Sequence, residues 1–187
     1  MEIYHTLFNI LTKENIDYTQ YDIFLETGLY DANTLISLNT KGVSEYFTKI
    51  YSVEIVESFI KDCISNNSFL KEPKYNLING DSAVEIKKIV EDNADKKFLI
   101  WLDGHYSAGF TGKSSLYGEC PVLQELELLK KLKISPTIII DDASFFQNSP
   151  PPPHDPKDWP STNTICEKLK EINPSYNITT GSYILAK

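Results

Sequence analysis

The fold class follows from residues 98–105, which read FLIWLDGH. Five successive apolar residues end at Asp103, a pattern that predicts a strand over 98–102 buried on both faces. The same pattern recurs at residues 137–140, which read TIII and end at Asp141-Asp142. Strands without polar alternation are typical of parallel sheets covered by helices on both sides, so the two segments together indicate an α/β protein.

Outward from these two segments, strand-length apolar runs alternate with segments of helical period. The other strands are predicted at 22–26, 50–54, 75–78, 176–179 and 182–186. Helices are predicted at 2–12, 33–47, 56–64 and 162–172, with one more that Ser82 caps and another that carries Leu123 through Leu132. The alternation predicts a doubly wound, mostly parallel sheet of seven strands, with helices on both faces and an antiparallel hairpin at its C-terminal edge.

The length of 187 residues predicts a single domain. We expect an N-terminal helix within 1–20 and the sheet within 22–186. Three widely spaced cysteines, at Cys63, Cys120 and Cys166, are typical of a reducing compartment. The start of the chain has no signal-peptide pattern, and no apolar run approaches the ~20 residues of a membrane span. We therefore expect a cytoplasmic protein with no membrane partner.

The charge composition argues against a nucleic-acid partner. The chain carries 26 acidic residues against 18 lysines and no arginine, which gives a net charge of −8. Nucleic-acid binders usually present basic surfaces and use arginine forks on phosphates and guanine edges. The sequence leaves a homodimer open.

Acidic residues stand at or just after the ends of five predicted strands. They are Glu26, Glu54, Asp81, Asp103 and Asp141. Ligands of open α/β sheets bind outside the carboxyl ends of the strands, where the strand order reverses. A row of carboxylates at that edge is therefore a candidate ligand site. The alternative is that each acid caps the helix that follows it, because the helix dipole favours negative charge there.

Asp103 and the pair Asp141-Asp142 are the sharpest features of this edge. Each follows a strongly apolar strand, where an ionised carboxylate is costly unless a cation balances it. No arginine is present to do so, and three clustered carboxylates suit a hard divalent ion such as Mg²⁺, with helix capping and solvation as the alternative. His105 is a candidate general base because the pKa of histidine suits proton transfer, and an ordinary loop histidine is the alternative there.

Several short motifs together resemble the Rossmann-like (class I) methyltransferases that use S-adenosylmethionine. Residues 24–28 (FLETG) resemble their glycine motif, Glu54 stands where they have the acid that takes the ribose hydroxyls, and residues 80–82 (GDS) match the segment that contacts adenine. Residues 102–107 (LDGHYS) and 139–142 (IIDD) resemble the paired motifs of the metal-dependent, macrocin-type O-methyltransferases. The resemblance covers nearly the whole chain.

The resemblance implies a role for each motif residue. Those implied to bind S-adenosylmethionine are Glu26, Thr27, Gly28, Glu54, Asp81, Ser82 and Asp103. Those implied to hold a divalent cation, Mg²⁺ in the first instance, are Asp103, Asp141 and Asp142. The implied catalytic residues are Asp103 and His105, which stands where the family has an acidic base. Asp31-Ala32-Asn33 occupies the place of the later glycines of the first motif.

The implied activity is metal-assisted O-methylation of a small hydroxylated acceptor, a sugar or a secondary metabolite. The cation would lower the pKa of the acceptor hydroxyl, His105 would remove its proton, and the oxygen would attack the sulfonium methyl group. The loops at 104–118 and 146–161 would form the walls or a lid. The aromatic residues near them are Phe145, Phe146 and Trp159.

Three other functions stay open at this stage. Residues 112–114 (GKS) resemble the end of a phosphate-binding loop, which would indicate a nucleotide triphosphatase, although Ser107 replaces the glycine expected five positions before Gly112. A non-catalytic protein could bind S-adenosylmethionine or a partner on the same fold. A different metal-assisted reaction, such as hydroxylation, would need a two-histidine, one-carboxylate set that is not obvious in the sequence.

Overall fold

The computed structural model describes residues 6–133 and 135–187, and within them seven strands form one sheet. The strands are β1 (Ile23–Thr27), β2 (Lys49–Glu54), β3 (Tyr75–Asn79), β4 (Phe98–Leu102), β5 (Thr137–Ile140), β6 (Ile178–Thr180) and β7 (Ile184–Ala186). Their order across the sheet is β3-β2-β1-β4-β5-β7-β6. Neighbours from β3 to β5 pair in parallel, whereas β7 runs antiparallel to both β5 and β6. The predicted sheet, with its antiparallel C-terminal edge, is confirmed.

The strand order reverses on either side of β1. From β1 the chain builds outward through β2 to β3, then returns to place β4 on the other side of β1. Thr27, the last residue of β1, lies opposite Val53 of β2 and Leu102 of β4. The carboxyl ends of these three strands are therefore nearly level, at the position where open α/β sheets bind ligands.

Helices cover both faces of the sheet. They are α1 (Leu7–Lys13), α2 (Asn33–Thr40), α3 (Glu57–Asn66), α4 (Ser82–Asp92), α5 (Val122–Leu129), α6 (Ser144–Gln147) and α7 (Thr162–Ile172). Because successive strand residues point to opposite faces, Leu25 and Ile100 pack against α4, α5 and α7, whereas Phe24 and Trp101 pack against α1, α2 and α3. Each fully buried side chain of this kind contributes roughly 1.5–3 kcal/mol. The two cores hold the strand ends in place.

The helix predicted over 33–47 is wrong in its extent. α2 ends at Thr40, and a separate 3₁₀ turn follows at Val43–Tyr46. Gly42 lies between them with a φ of +71°, a conformation that ends a helix. Leu38 and Val43 nevertheless pack into the same core, so the apolar pattern continues across a break in the backbone.

The helix cap predicted at Ser82 is also wrong. Asp81 caps α4: its Oδ1 accepts a hydrogen bond from the Ala83 amide at 3.0 Å, and Ser82 is the first helical residue. Aspartate and serine are both favoured at this position, so the sequence pattern alone does not choose between adjacent candidates. The Ser82 hydroxyl therefore does not cap α4 and bonds to Glu125 instead.

The remaining boundaries differ by a few residues. The predicted helix 2–12 begins before the described residues, and its described part continues to Lys13. The predicted loop 146–161 contains the end of α6 and a 3₁₀ turn at Pro156–Asp158. α7 coincides with the predicted helix, and β6 and β7 are shorter than predicted.

The three cysteines are all free thiols. Cys63 and Cys120 are buried in the two cores, and Cys166 is partly exposed. Among the helices that the structure describes, none is both long and apolar enough to cross a bilayer.

Candidate cofactor and catalytic site

A cavity of about 430 Å³ opens at the carboxyl ends of β1, β2 and β4. Its walls include Gly28, Glu54, Asp81 and Asp103, and the loop 107–112 passes across it. The cavity lies where the strand order reverses, and its volume falls within the range of small-molecule sites. The cavity therefore lies at the predicted ligand edge of the sheet.

Gly28 lets the backbone turns after β1 and β4 approach each other. Its φ is +81°, and a Cβ at this position would lie 2.2 Å from the carbonyl oxygen of Asp103. The Gly28 amide donates to the carbonyl oxygen of Val53 at 2.9 Å. Only glycine fits this geometry, because other residues are strained at positive φ and would add an atom inside the contact. Gly28, which is predicted to bind the cofactor, therefore lines the cavity with backbone atoms alone.

Glu54 is fixed at the cavity wall by backbone donors. Its Oε2 accepts from the Tyr30 amide at 3.0 Å, and its Oε1 accepts from the Val56 amide at 2.8 Å. A carboxylate oxygen has two lone pairs, so each oxygen can still accept a hydrogen bond from a ligand. The side chain is 6% exposed, and that remaining surface faces the cavity. Glu54 is a preoriented acceptor for a pair of hydroxyl groups.

Glu26 and Thr27 require a correction, because neither lines the cavity. They are 1% and 0% exposed. Glu26 accepts from the Ser52 hydroxyl at 2.6 Å, and burial raises its pKa to about 8. Thr27 Oγ1 accepts from the amides of Asp103 and Gly104 at 3.2 and 3.1 Å. Thr27 therefore supports the turn after β4, and Glu26 is bonded to the neighbouring strand β2.

Asp81 and Ser82 line the cavity but have different partners. Asp81 Oδ2 accepts from the Ser114 hydroxyl at 2.5 Å, which ties the crossing loop to the start of α4. The Ser82 hydroxyl donates a buried hydrogen bond to Glu125 Oε1 at 2.5 Å. Burial raises the pKa of Glu125 to about 7. Sequence patterns did not single out Glu125, because an acid on a helix next to leucines looks like a solvent-exposed residue.

His105, Asp103 and Asp142 form a cluster between the ends of β4 and β5, called here the His105 cluster. Nε2 of His105 lies 2.9 Å from Oδ2 of Asp142 and 3.7 Å from Oδ1 of Asp103. The ring is buried, whereas both carboxyl groups are partly exposed. Asp103 and His105 also line the cavity. The structure therefore brings the predicted catalytic pair together at one end of the cavity.

The members of the His105 cluster shift one another's protonation. Burial by itself would lower the pKa of His105, but the hydrogen bond to Asp142 and the nearby carboxyl groups outweigh it and raise that pKa to about 9. The same bond lowers the pKa of Asp142. Burial raises the pKa of Asp103 to about 8, against the opposing effect of His105. At neutral pH the cluster holds an imidazolium beside an ionised Asp142.

The predicted metal ligands do not form an ion site in this arrangement. In the part of the chain that the structure describes, no group of three or more His, Cys, Asp or Glu side chains is placed to hold an ion. The His105 ring instead contacts Asp142 and lies near Asp103, so an imidazolium supplies the positive charge between them. β5 ends at Ile140, and Asp142 lies in the turn that follows, with a φ of +49°. The donor set of Asp103, Asp141 and Asp142 does not fit a divalent cation here.

Glu119 is a functional candidate that the sequence did not indicate. It is 2% exposed, and its carboxylate accepts four hydrogen bonds. The donors are Lys113 Nζ at 2.7 Å, His154 Nδ1 at 3.0 Å, Trp159 Nε1 at 3.0 Å and the Asp155 amide at 3.2 Å. Burial would raise its pKa, but these donors outweigh burial and lower it to about 2. We call Glu119 with these four partners the Glu119 network.

Aromatic rings fill the space beside the His105 cluster. The Trp159 ring lies 5.3 Å from His105, 5.0 Å from Phe145 and 5.7 Å from Phe146. His154 lies 5.7 Å from Tyr106 and packs on the same group. The two loops predicted as walls thus meet here, and the Trp159 ring packs on His105.

The phosphate-loop resemblance at 112–114 finds no support. Lys113, which would contact a phosphate, is paired with Glu119 and lies 4.2 Å from the Tyr106 ring centre. Gly112 packs against Ile55, where a Cβ would lie 2.3 Å from the isoleucine side chain. The segment is part of the loop across the cavity and does not wrap around an anion.

No family model and no curated protein sequence matches the chain. Human methyltransferase-like protein 13, solved with S-adenosylhomocysteine, matches with a TM-score of 0.56 at 12% identity, over 90% of this chain and 72% of that one. A methyltransferase from Aquifex aeolicus that depends on S-adenosylmethionine matches with a TM-score of 0.52 at 16% identity, over 94% and 86%. The chain has the Rossmann-like methyltransferase fold.

A third structure with this methyltransferase fold is the O-methyltransferase TomG from Streptomyces achromogenes, solved with S-adenosylmethionine. It matches with a TM-score of 0.51 at 13% identity, over 90% of this chain and 73% of that one. Similarity at such identities establishes the fold, whereas activity depends on the residues at the site. In this methyltransferase fold the predicted residues Gly28, Glu54, Asp81, Ser82, Asp103 and His105 all line one cavity.

Proposed function

We propose that this protein transfers the methyl group of S-adenosylmethionine to a hydroxyl group of a small acceptor. The observation that carries the proposal is Glu54, a carboxylate oriented by two backbone amides at the wall of a cavity beside Gly28. The shared fold, and the complexes of TomG and of human methyltransferase-like protein 13 with the cofactor or its product, support the same ligand.

The cavity offers a complementary surface to each part of S-adenosylmethionine. The two ribose hydroxyls would donate to Glu54, whose oxygens retain free lone pairs. Ile55 and Phe59 provide an apolar wall for the adenine ring, and Asp81 stands at its polar edge. The bare backbone at Gly28 leaves room for the methionine portion next to Asp103. The sulfonium group would then lie near the His105 cluster, where Asp142 contributes negative charge.

The His105 cluster would handle the proton of the acceptor. The raised pKa means that His105 acts as a base only in the fraction of molecules in which the ring has lost its proton; that neutral imidazole takes the proton of the acceptor hydroxyl, and Asp142 stabilises the imidazolium that results. The acceptor oxygen forms a bond to the methyl carbon as the bond from carbon to sulfur breaks, and the electron pair remains on sulfur. The products are a methyl ether and neutral S-adenosylhomocysteine. Much of the rate would come from alignment of the two reactants.

The experiment that tests the cofactor assignment is calorimetry with S-adenosylhomocysteine. In Glu54→Gln, loss of the charged acceptor should weaken binding by roughly tenfold to a hundredfold, the equivalent of about 1.5–3 kcal/mol. Glu45→Gln is a matched control, because Glu45 is exposed outside the cavity. Wild-type affinity in Glu54→Gln would overturn the assignment.

The acceptor class is tested with a panel of sugars and phenols and labelled S-adenosylmethionine. Transfer of label to a hydroxyl group supports the enzyme. The packing of Trp159 on the His105 ring favours a second function, in which the protein binds the cofactor without transferring its methyl group. Binding of S-adenosylhomocysteine with no transfer to any acceptor would support this second function.

Metal assistance is not part of this proposal, because Asp103 and Asp142 would have to release His105 before they could bind an ion. We expect transfer to continue in the presence of a chelator. Loss of transfer in the chelator, with recovery on addition of Mg²⁺, would show that the cluster rearranges around a cation.

A further inference from the structure

We infer that Glu119 is a positioning residue that couples the loop across the cofactor cavity to the aromatic wall beside His105. The inference rests on the proposed function, because it assigns the cavity to S-adenosylmethionine and the aromatic wall to the acceptor side. Glu119 itself does not line the cavity, so it acts through Lys113 on one side and through Trp159 and His154 on the other.

The first half of the link is the loop 107–114. Its residues from Ser107 to Gly112 line the cavity, and the Ser114 hydroxyl bonds to Asp81 at 2.5 Å. Lys113 lies between these two anchored positions and extends to Glu119 Oε1. A ligand that occupies the cavity contacts this loop, so its binding displaces or fixes Lys113.

The second half of the link is the proline-rich loop. Oε2 of Glu119 accepts from His154, from Trp159 and from the Asp155 amide, three groups within a six-residue segment. The Trp159 ring in turn packs 5.3 Å from the His105 ring. One carboxylate oxygen therefore serves the loop at the cofactor cavity, and the other serves the loop that packs on the catalytic histidine.

Burial makes the two halves depend on each other. A carboxylate that is 2% exposed cannot exchange its partners for water without cost, so a shift of Lys113 has to be balanced by its remaining donors. Backbone bonds lock the residue in place as well: its amide donates to Asp158 Oδ2 at 3.0 Å, and its carbonyl oxygen accepts from the Tyr106 amide at 2.7 Å. Displacement at one loop is thereby transmitted to the other.

The two tryptophans of the chain provide a direct readout. Trp159 donates its indole N–H to Glu119, whereas Trp101 packs on the opposite face of the sheet. In a nitrogen–proton correlation spectrum each gives one indole signal, and Trp159→Phe assigns them. We titrate the wild-type protein with S-adenosylhomocysteine and follow both signals, with calorimetry on the same samples.

Lys113→Met removes the ion pair between the loop 107–114 and Glu119. It keeps the three donors of the proline-rich loop. Lys113 is 46% exposed and Glu119 keeps its other three donors, so the variant should fold. Lys157→Met is the matched control, because Lys157 is an exposed lysine of the proline-rich loop whose side chain does not contact Glu119. Glu119→Gln is the second variant, in which the charge that attracts Lys113 is removed.

We expect the ligand to shift the Trp159 signal in the wild type and in Lys157→Met. In Lys113→Met the shift should fall to less than half, while the ligand-induced change at Trp101 and the affinity stay close to wild type. Glu119→Gln should move the Trp159 signal before any ligand is added.

A purely structural role for Glu119 would leave the ligand response at Trp159 unchanged in Lys113→Met, and that result would overturn the inference. An unmoved Trp159 signal in the wild type, with the ligand bound by calorimetry, would overturn it as well and leave the proposed function standing. Failure of the wild type to bind S-adenosylhomocysteine at all would overturn the proposed function and this inference together.

Discussion

The two ends of the cavity are built in different ways. The cofactor end consists of strand-end backbone, with Gly28 left bare and Glu54 held by amides that lie within a short reach of β1 and β2. The acceptor end consists of side chains from distant segments, because Glu119 joins residues up to 40 positions away and Trp159 packs on His105. The first end is open and preformed. The second is packed with aromatic rings, and His105 lines the cavity beside them.

Under the proposed function, this difference would separate cofactor binding from catalysis. Backbone geometry at the cofactor end tolerates little change, so substitutions there should abolish binding. Side-chain contacts at the acceptor end can be altered one at a time, so substitutions there should change transfer or loop position while binding survives.

The largest effect is expected at Gly28. Gly28→Ala should abolish detectable binding of S-adenosylhomocysteine and lower the melting temperature, because strain at positive φ costs about 1–3 kcal/mol and the new Cβ meets the Asp103 carbonyl oxygen. Gly42→Ala is the matched control: Gly42 has a φ of +71° with nothing within 4 Å of a Cβ, so the variant carries the strain without the clash. Calorimetry and thermal melts measure both. Equal binding by the two variants would contradict the close approach at the cofactor end.

A large effect on transfer alone is expected at His105. His105→Asn should lower the rate of methyl transfer by about 10²–10⁴-fold, the usual contribution of a general base, and leave the affinity for S-adenosylhomocysteine close to wild type. Single-turnover measurements with the acceptor that the panel identifies give the rate. If the variant loses cofactor affinity but keeps its transfer rate, His105 acts in cofactor binding and not in proton transfer.

A smaller effect is expected from acid at Glu119. The pKa of this carboxyl is lowered from 4.5 to about 2 in the folded protein, so its contribution to stability is complete above about pH 4.5 and is lost as the pH falls toward 2. The charged and titratable groups around it are Lys113, His154, Asp158 and Tyr106. As the pH falls, the Trp159 indole signal should therefore shift when its hydrogen bond to Glu119 is lost. The Trp101 signal reports global unfolding.

Glu119→Gln is the comparison for the acid titration. The variant lacks the titrating group, so the Trp159 signal should show no acid step of its own in that range. The same acid profile in the variant and in the wild type would assign the change to general unfolding and would remove Glu119 as its cause.

The smallest effect is expected at Glu26. Its pKa is raised from 4.5 to about 8 by burial, so the protonated form favours folding, and that contribution declines as the pH rises from about 4.5 to 8. Glu26→Gln keeps a neutral partner for Ser52 and should be more stable than the wild type above pH 8, with unchanged affinity for S-adenosylhomocysteine. Thermal melts at several pH values and calorimetry test this. A large loss of affinity would show that Glu26 contributes to cofactor binding.

Much of the fold and of the cofactor end could be predicted from local patterns. The unbroken apolar strands at 98–102 and 137–140 identified the parallel sheet, and the acids and glycines at strand ends identified its ligand edge. Strand ends are readable in sequence because an apolar run stops where the chain leaves the core. The same logic misplaced Glu26 and Thr27, since two residues next to a cavity can point into the core and support its floor.

The acceptor end was not readable in the same way. Glu119 and Glu125 belong to no local motif, and an isolated acid in sequence is most often a solvent-exposed side chain. His105 was identified, but its contact with Asp142, which replaces the predicted cation, depends on how the turns after β4 and β5 meet.

The sequence by itself determined the order of strands and helices, the ligand edge of the sheet and the bare backbone at Gly28, because these depend on apolar periodicity and on residues that are close along the chain. Only the tertiary structure decided that Glu26 and Thr27 lie beneath the cavity, that an imidazole stands between two carboxyl groups, and that Glu119 joins the two loops. Those contacts link segments tens of residues apart, and burial gives them their strength only after the chain has folded.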